Sequence, residues 1–148
     1  MSDINEHDIQ EITRRVLRQV MGEAAQTQQS AAAKRLVAIG ADHGGFELKE
    51  MLKAEIAGLG YEVLDAGTYS KDAVDYPDFA HEVASLVSTG RAWRGIMIDG
   101  AGIGSCIVAN KVPGVRAGMA YDYSSAVNSR EHNDTNVLTL GAGLTGPN

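Results

Sequence analysis

The segment Asp99-Gly100-Ala101-Gly102-Ile103-Gly104 sets a carboxylate at the end of the apolar run Gly95 to Ile98 and follows it with three glycines in alternate positions. Glycines so spaced let the backbone turn tightly and bring bare N–H groups within reach of an anion. Ser105 to Lys111 can continue as a helix whose positive end faces that turn. The spacing is neither the G-x-G-x-x-G dinucleotide fingerprint nor a phosphate loop closed by Gly-Lys-Ser/Thr. On spacing alone, a plain strand-to-helix turn and an anion cradle both remain open. A second group, Asp42-His43-Gly44-Gly45, follows another apolar run and pairs a carboxylate with the usual proton shuttle at neutral pH. Its bland alternative is that Asp42 caps a helix beginning near Phe46 and His43 is an exposed loop residue. A third, Ser129-Arg130-Glu131-His132-Asn133-Asp134, has more polar side chains than a connection normally needs. There His132 can exchange a proton with a substrate oxygen while Asn133 donates hydrogen bonds to it. Cys106 falls where a helix start can lower a thiol pKa, although a cysteine in such a place more often fills core. The histidines show no close ligand spacing, so no metal site is expected.

These residues need a scaffold that brings them to one edge. From Leu36 onward, short apolar runs alternate with helical patterns. The expected strands are Leu36 to Gly40, Tyr61 to Asp65, Gly95 to Asp99, Val115 to Tyr121 and Val137 to Gly141. Phe46 to Leu59, Asp78 to Thr89, Ile103 to Lys111 and Tyr123 to Arg130 supply the crossover helices. The reading is an α/β fold, a doubly wound (Rossmann-like) open sheet of five parallel strands with right-handed connections. Ligands in such sheets bind at the carboxyl ends of the strands, where Asp42, His43, the Gly67 to Pro77 loop, Asp99 and Asp122 would gather. After the last strand only Ala142 to Asn148 remain, so no sixth element is expected to cover that edge of the sheet.

Ahead of this domain (residues 35–148), Asp8 to Met21 carries Ile9, Ile12, Val16, Leu17 and Val20 at helical spacing, with Glu11, Arg14, Arg15 and Arg18 on the other side. Asp8 and Glu11 suit a capping box and Gly22 a helix end, so residues 1–22 read as a tethered amphipathic helix. Residues 23–34, rich in Ala, Gln, Ser and Thr, read as a flexible linker.

The 148 residues carry a net charge of -6, which argues against a nucleic-acid partner because such binding needs a basic footprint. A single cysteine excludes an internal disulfide framework and fits a reducing cytoplasm. No apolar run approaches a membrane span, and no apolar signal core is seen.

Taken together, Gly40-Ala41-Asp42-His43-Gly44-Gly45, Asp75-Tyr76-Pro77, the glycine turn running into Ala109-Asn110-Lys111-Val112-Pro113-Gly114, and Ser129 through Val137 resemble the type B ribose-5-phosphate isomerases and the related galactose-6-phosphate isomerase subunits. The resemblance spans about Leu36 to Gly146. It implies interconversion of aldose and ketose phosphates without metal or cofactor, by proton transfer through an enediolate, at sites between two subunits of a homodimer or higher homo-oligomer. It assigns ring opening to His132, the neighbourhood of the substrate phosphate to His43, and sugar hydroxyls to Asp42 and Asn133. Gly100, Gly102, Ile103, Gly104 and Ser105 take the turn that stabilises the enediolate. Departures stand beside the matches. Asp99 occupies the position of a catalytic cysteine and is the only aligned base, since Ser105 stands where another branch has a glutamate. An unperturbed aspartate, with a pKa of about 3.9, is weakly basic at neutral pH, so burial would have to raise it for good proton transfer. Ala101 replaces a hydroxyl residue, and Gly143 replaces an arginine that holds phosphate. The remaining phosphate arginines and the helix that braces the dimer would fall beyond Asn148. Two functions follow: a sugar-phosphate isomerase, or a non-catalytic binding or assembly protein on the same fold.

The order of helix, linker and enzyme-like domain also resembles the encapsulation peptides that carry cargo into bacterial microcompartments. That implies a shell-protein partner for residues 8–21 and residence in a compartment lumen. The alternative is a helix that folds back on its own domain or pairs with another copy.

Overall fold

The computed structural model describes residues 35–145, and the unit it describes begins at Arg35. The expected amphipathic helix and linker lie outside the described residues. Five strands, β1 (Leu36–Ala41), β2 (Glu62–Asp65), β3 (Arg94–Asp99), β4 (Ala117–Met119) and β5 (Val137–Gly141), form one parallel sheet in the order β2-β1-β3-β5-β4. Between them run α1 (Phe46–Gly58), α2 (Tyr76–Ser88), α3 (Ile103–Ala109) and α4 (Tyr123–Glu131), and a short α5 (Ala142–Thr145) follows β5.

The apolar runs are continuous rather than alternating because both faces of the central strands are covered. On one face Val37, Ile39, Ala41 and Ile98 pack with Ile56, Leu48 and Leu52 of α1. On the other, Ala38, Met97 and Val137 pack with Ala80, Val83, Ala84 and Val87 of α2 and Ala109 of α3. The period of two places Asp99 on the α2/α3 side of the sheet, which is where the chain must go to begin α3.

The expected α/β fold is the one observed, with boundaries shifted by a few residues. Helix α2 begins two residues early because Asp75 is extended and Pro77 fits the first turn. Strand β4 is shorter than the expected Val115 to Tyr121 because Val115 closes the turn after α3, its N–H donating to the Val112 carbonyl at 3.1 Å.

One expectation is corrected. The last strand is not an edge: β5 is inserted between β3 and β4, and β2 and β4 are the edges. The crossover through α3 leaves a place between β3 and β4 that the chain fills after α4, so β5 is hydrogen-bonded on both sides and its carboxyl end lies beside that of β3. A sixth element also follows it, the single turn α5.

Gly45 shows how tightly the loop after β1 is held. A Cβ built there would lie 2.5 Å from the Ile98 carbonyl oxygen, a backbone atom that cannot give way without moving β3. Gly45→Ala is expected to destabilise the domain by about 1–3 kcal/mol, the usual cost of overpacking, read as a lower urea midpoint at unchanged m.

Candidate active site

Three strand ends meet at the glycine turn. The Gly44 position lies 3.7 Å from the Gly100 N–H, measured from a Cβ built there, and the Asp42 N–H donates to the Ile98 carbonyl at 3.1 Å. From β5, Gly143 N–H donates to the Gly100 carbonyl at 3.0 Å, and a Cβ at Gly141 would fall 2.5 Å from the Ala101 carbonyl carbon. Gly102 adopts φ of 79°, a left-handed conformation natural to glycine, while a Cβ there would lie 2.9 Å from the Leu140 carbonyl carbon.

Asp99 is the centre of this arrangement and is only 5% exposed. One carboxylate oxygen accepts the Ala101 N–H at 2.8 Å and the Gly102 N–H. The other accepts the Ser105 N–H at 3.1 Å and the Ser105 hydroxyl. Four donors occupy the roughly four lone-pair sites of a carboxylate. Burial pushes the Asp99 carboxyl up, but the hydrogen bonds from Ser105, Gly102 and Ala101 outweigh it and hold the group below the usual carboxylate range. The rise in basicity that good proton transfer needs is therefore not what this environment produces.

Asp42 is nearly buried, and its carboxylate accepts the Gly45 N–H at 2.9 Å, close to the capping alternative raised above. His43 is exposed on the same loop, and its Nδ1 accepts the Val74 N–H at 3.3 Å, which leaves Nε2 as the protonated ring nitrogen. Gly100 and Ile103 are exposed, Gly104 is half-buried and Ser105 is fully buried. Tyr76 belongs with them. A Cβ at Gly104 would come 2.7 Å from its hydroxyl oxygen, so ring and turn are in contact. The Asp75-Tyr76-Pro77 motif was its sequence signal, but nothing in the spacing linked that motif to Gly104.

His132 and Asn133 are elsewhere. They follow α4 and precede β5, in a corner where the Asn136 N–H donates to the Arg116 carbonyl at 2.9 Å and the Gly95 N–H to the Asn136 carbonyl at 3.0 Å. This is the amino end of the strands. The register Gly95↔Val137 and Asp99↔Gly141 separates that corner from the glycine turn by the length of β5, about 13 Å at roughly 3.3 Å per residue. One copy of the chain does not bring His132 to Asp99.

The polar run around His132 is mostly structural. Arg116 and Arg130 both pair with Asp134, which sits at φ of 44°, and Arg130 also donates to the Thr135 carbonyl. Asn136 bridges to the Arg116 N–H at 2.7 Å and the Gly114 carbonyl at 2.9 Å. His132 and Asn133 stay exposed, Asn133 making only contacts of 3.4 Å to Asn128. A cleft of about 740 Å³ runs along β4 and α4 and includes Asn128 and Asn133, but not the glycine turn. Cys106 faces the Ala117 carbonyl at 3.5 Å, and Asn110 ties the same carbonyl and N–H to the end of α3. Among the described residues there is no cluster of His, Cys, Asp or Glu suited to a metal, and no helix long and apolar enough to cross a membrane.

Residues 37–148 match the ribose/galactose isomerase family. The chain belongs to this family. It is 46% identical over 110 residues to ribose-5-phosphate isomerase B of Escherichia coli, covering 74% of each chain. It is 41% identical over 115 residues to a D-erythrulose-4-phosphate isomerase of Pectobacterium atrosepticum, covering 75% of this chain and 74% of that one. Among solved structures, ribose-5-phosphate isomerase B of Clostridium thermocellum superposes with a TM-score of 0.74 at 48% identity over 75% of each chain. Family membership accounts for the order of the four motifs, which converge here on two separate corners of one sheet.

Because its carboxyl is held low in the folded state, Asp99 contributes stability that is present above its unfolded pKa and lost as pH falls through the folded value. Asp99→Asn is expected to flatten the acid limb of the stability–pH curve below about pH 4. It is also expected to cost about 1–3 kcal/mol at pH 7, since an amide cannot accept all four bonds. Urea denaturation across pH checks both; an unchanged acid limb would contradict the assignment.

Proposed function

We propose that the protein interconverts an aldose phosphate and its ketose by moving a proton between the first two carbons through an enediolate. Family membership with relatives named for ribose 5-phosphate and erythrulose 4-phosphate supports the reaction class. The observation that carries the reading is the convergence of Asp42, Tyr76 and Asp99 on one glycine turn, with His43 next to Asp42 on the loop after β1.

In this reading Asp99 is the base. Its lone pairs are all engaged, so one must be released before it can take a proton from carbon. The Ser105 hydroxyl is the one donor of the four that can leave by bond rotation, the others being backbone N–H groups. The turn's donors then pass from an internal anion to a developing one, the electrostatic role that makes such turns useful. His43 offers Nε2–H to the phosphate, Asp42 and Asn133 bind sugar hydroxyls, and His132 opens the ring.

His132 lies a strand length from Asp99, so the site we propose is shared: the amino-end corner of one subunit completes the glycine turn of another, in a homodimer or larger homo-oligomer. Asp99→Asn and His132→Ala should each abolish turnover of ribose 5-phosphate, allose 6-phosphate and galactose 6-phosphate, whichever is accepted. Mixed and allowed to exchange subunits, the two inactive variants should recover about a quarter of wild-type activity, since half the dimers are mixed and each mixed dimer has one intact site. No recovery with demonstrated exchange would overturn the shared site. A wild type inert on all three sugars, with Asp99→Asn no different, would overturn the isomerase reading.

For residues 8–21 we propose docking on a microcompartment shell protein, supported by the helical spacing of Ile9, Ile12, Val16, Leu17 and Val20 in the sequence. Residues 1–22 fused to a fluorescent protein should form puncta when a shell is co-expressed, and diffuse fluorescence would count against it.

A further inference from the structure

We propose that the pair of buried Lys49 with half-buried Asp65 is a positioning device for His43, acting through the loop 66–75 that links the two. This rests on the reading above that His43 meets the substrate.

Lys49 is 0% exposed although it is a lysine on the first half of α1. Its ammonium reaches Asp65 at 2.6 Å and Glu50 at 3.2 Å and lies 5.1 Å from the centre of the Tyr69 ring. Burying an ammonium is costly even when paired, and an apolar side chain of similar size usually gives as stable a core. What the pair adds is a fixed geometry at the point where the chain leaves β2. The Asp65 oxygen that binds Lys49 also accepts the Gly67 N–H at 3.0 Å, and the Asp65 carbonyl accepts the Tyr69 hydroxyl at 3.1 Å. Lys53 holds the second Asp65 oxygen at 2.6 Å.

So anchored, the loop lies along the last residue of β1. Gly67 carbonyl accepts the Ala41 N–H at 2.6 Å, and Thr68 N–H donates to the Ala41 carbonyl at 2.7 Å. Ala41 immediately precedes Asp42 and His43. At its far end the loop returns to the same place, and Val74 donates its N–H to His43 Nδ1. The loop is therefore fixed at its root by the Lys49–Asp65 ion pair and at its far end by the imidazole. That contact keeps Nδ1 an acceptor and makes Nε2–H the ring's only donor.

The double variant Lys49→Met/Asp65→Asn removes both charges together and strands neither. In it the Val74 and Thr68 amides should lose hydrogen-exchange protection while Ile96 and Leu138 in the sheet keep theirs. The His43 Nδ1 resonance, assigned by its loss in His43→Gln, should leave the position of a hydrogen-bonded acceptor. KM for the accepted sugar phosphate should rise roughly tenfold or more, the loss of one hydrogen bond to a charged group, with kcat within about threefold. Val74→Pro deletes the donated N–H while fixing φ at that one loop position, and should reproduce the His43 shift and the KM rise with the ion pair intact. It decides the case should the double variant not fold. Unchanged His43 resonances in either folded variant, or kcat falling with KM unmoved, would overturn the proposal. Should the wild type turn over no sugar phosphate, the isomerase reading fails while exchange and resonance data still decide the positioning.

Discussion

The site depends on one saturated carboxylate. Asp99 ends β3 and gathers four hydrogen bonds from the next six residues, and those bonds define the path of the chain into α3. The glycines serve that path: Gly102 supplies the left-handed residue, and Gly141 lets the end of β5 lie against Ala101. In the resting protein the anion cradled by the turn is therefore Asp99 itself. A thiolate could seat fewer donors, so a cysteine in this place would leave the turn more open to an external oxyanion. With Asp99 as the proposed base, chemistry would depend on how readily Ser105 turns aside.

A second constraint is the division of charge along the strands. Asp42, His43 and Asp99 stand at the carboxyl ends, whereas Arg35, Arg94, Arg116 and Arg130 belong to the amino ends, together with His132. The arginines there crowd one another: burial and the nearby charges of Arg130 and Arg35 hold Arg94 below its usual range. Within one subunit these two ends cannot act on a molecule the size of a pentose phosphate. In the shared site we propose, these ends would present acidic and cationic groups to opposite ends of one substrate, and complementary charge favours such docking.

The fold was legible because a parallel sheet covered on both faces writes itself as short apolar runs separated by helical ones, and Val37, Ile39, Met97 and Ile98 are all inside. Strand order was less so. Nothing in Val137 to Gly141 distinguishes an edge from an insertion, since β5 is apolar enough for either, and its two-sided pairing is visible only in three dimensions. In the site, residue types were readable and their company was not. Asp99 beside glycines was plain, but the sum of burial and four donors, which decides its basicity, depends on where Ser105 folds back six residues later. Tyr76 reached the turn through a packing contact that sequence spacing does not encode. In the polar run Ser129 to Asp134, residue types alone do not separate the two uses: Arg130 and Asp134 fasten the corner, while Glu131, His132 and Asn133 stay exposed.

The separation of His132 from Asp99 also bears on how the family's motifs should be read in this chain. If the four motifs built one pocket within a subunit, losing the phosphate arginine at Gly143 would leave the anion without a nearby cation, since Lys49 is sealed in its own pair and Lys71 is engaged by Glu47. With the site shared as we propose, the carboxyl-end corner need supply only the base, the turn and His43, and any cation comes from the amino-end corner, where Arg116 and Arg130 are held by Asp134 while Arg35 and Arg94 stack on Trp93. Gly143 is then less a defect than a consequence of close packing. Its N–H bonds the Gly100 carbonyl, and a Cβ at that position would already sit 3.0 Å from the same oxygen. A bulky side chain there would have to lift α5 away from the turn that Asp99 holds.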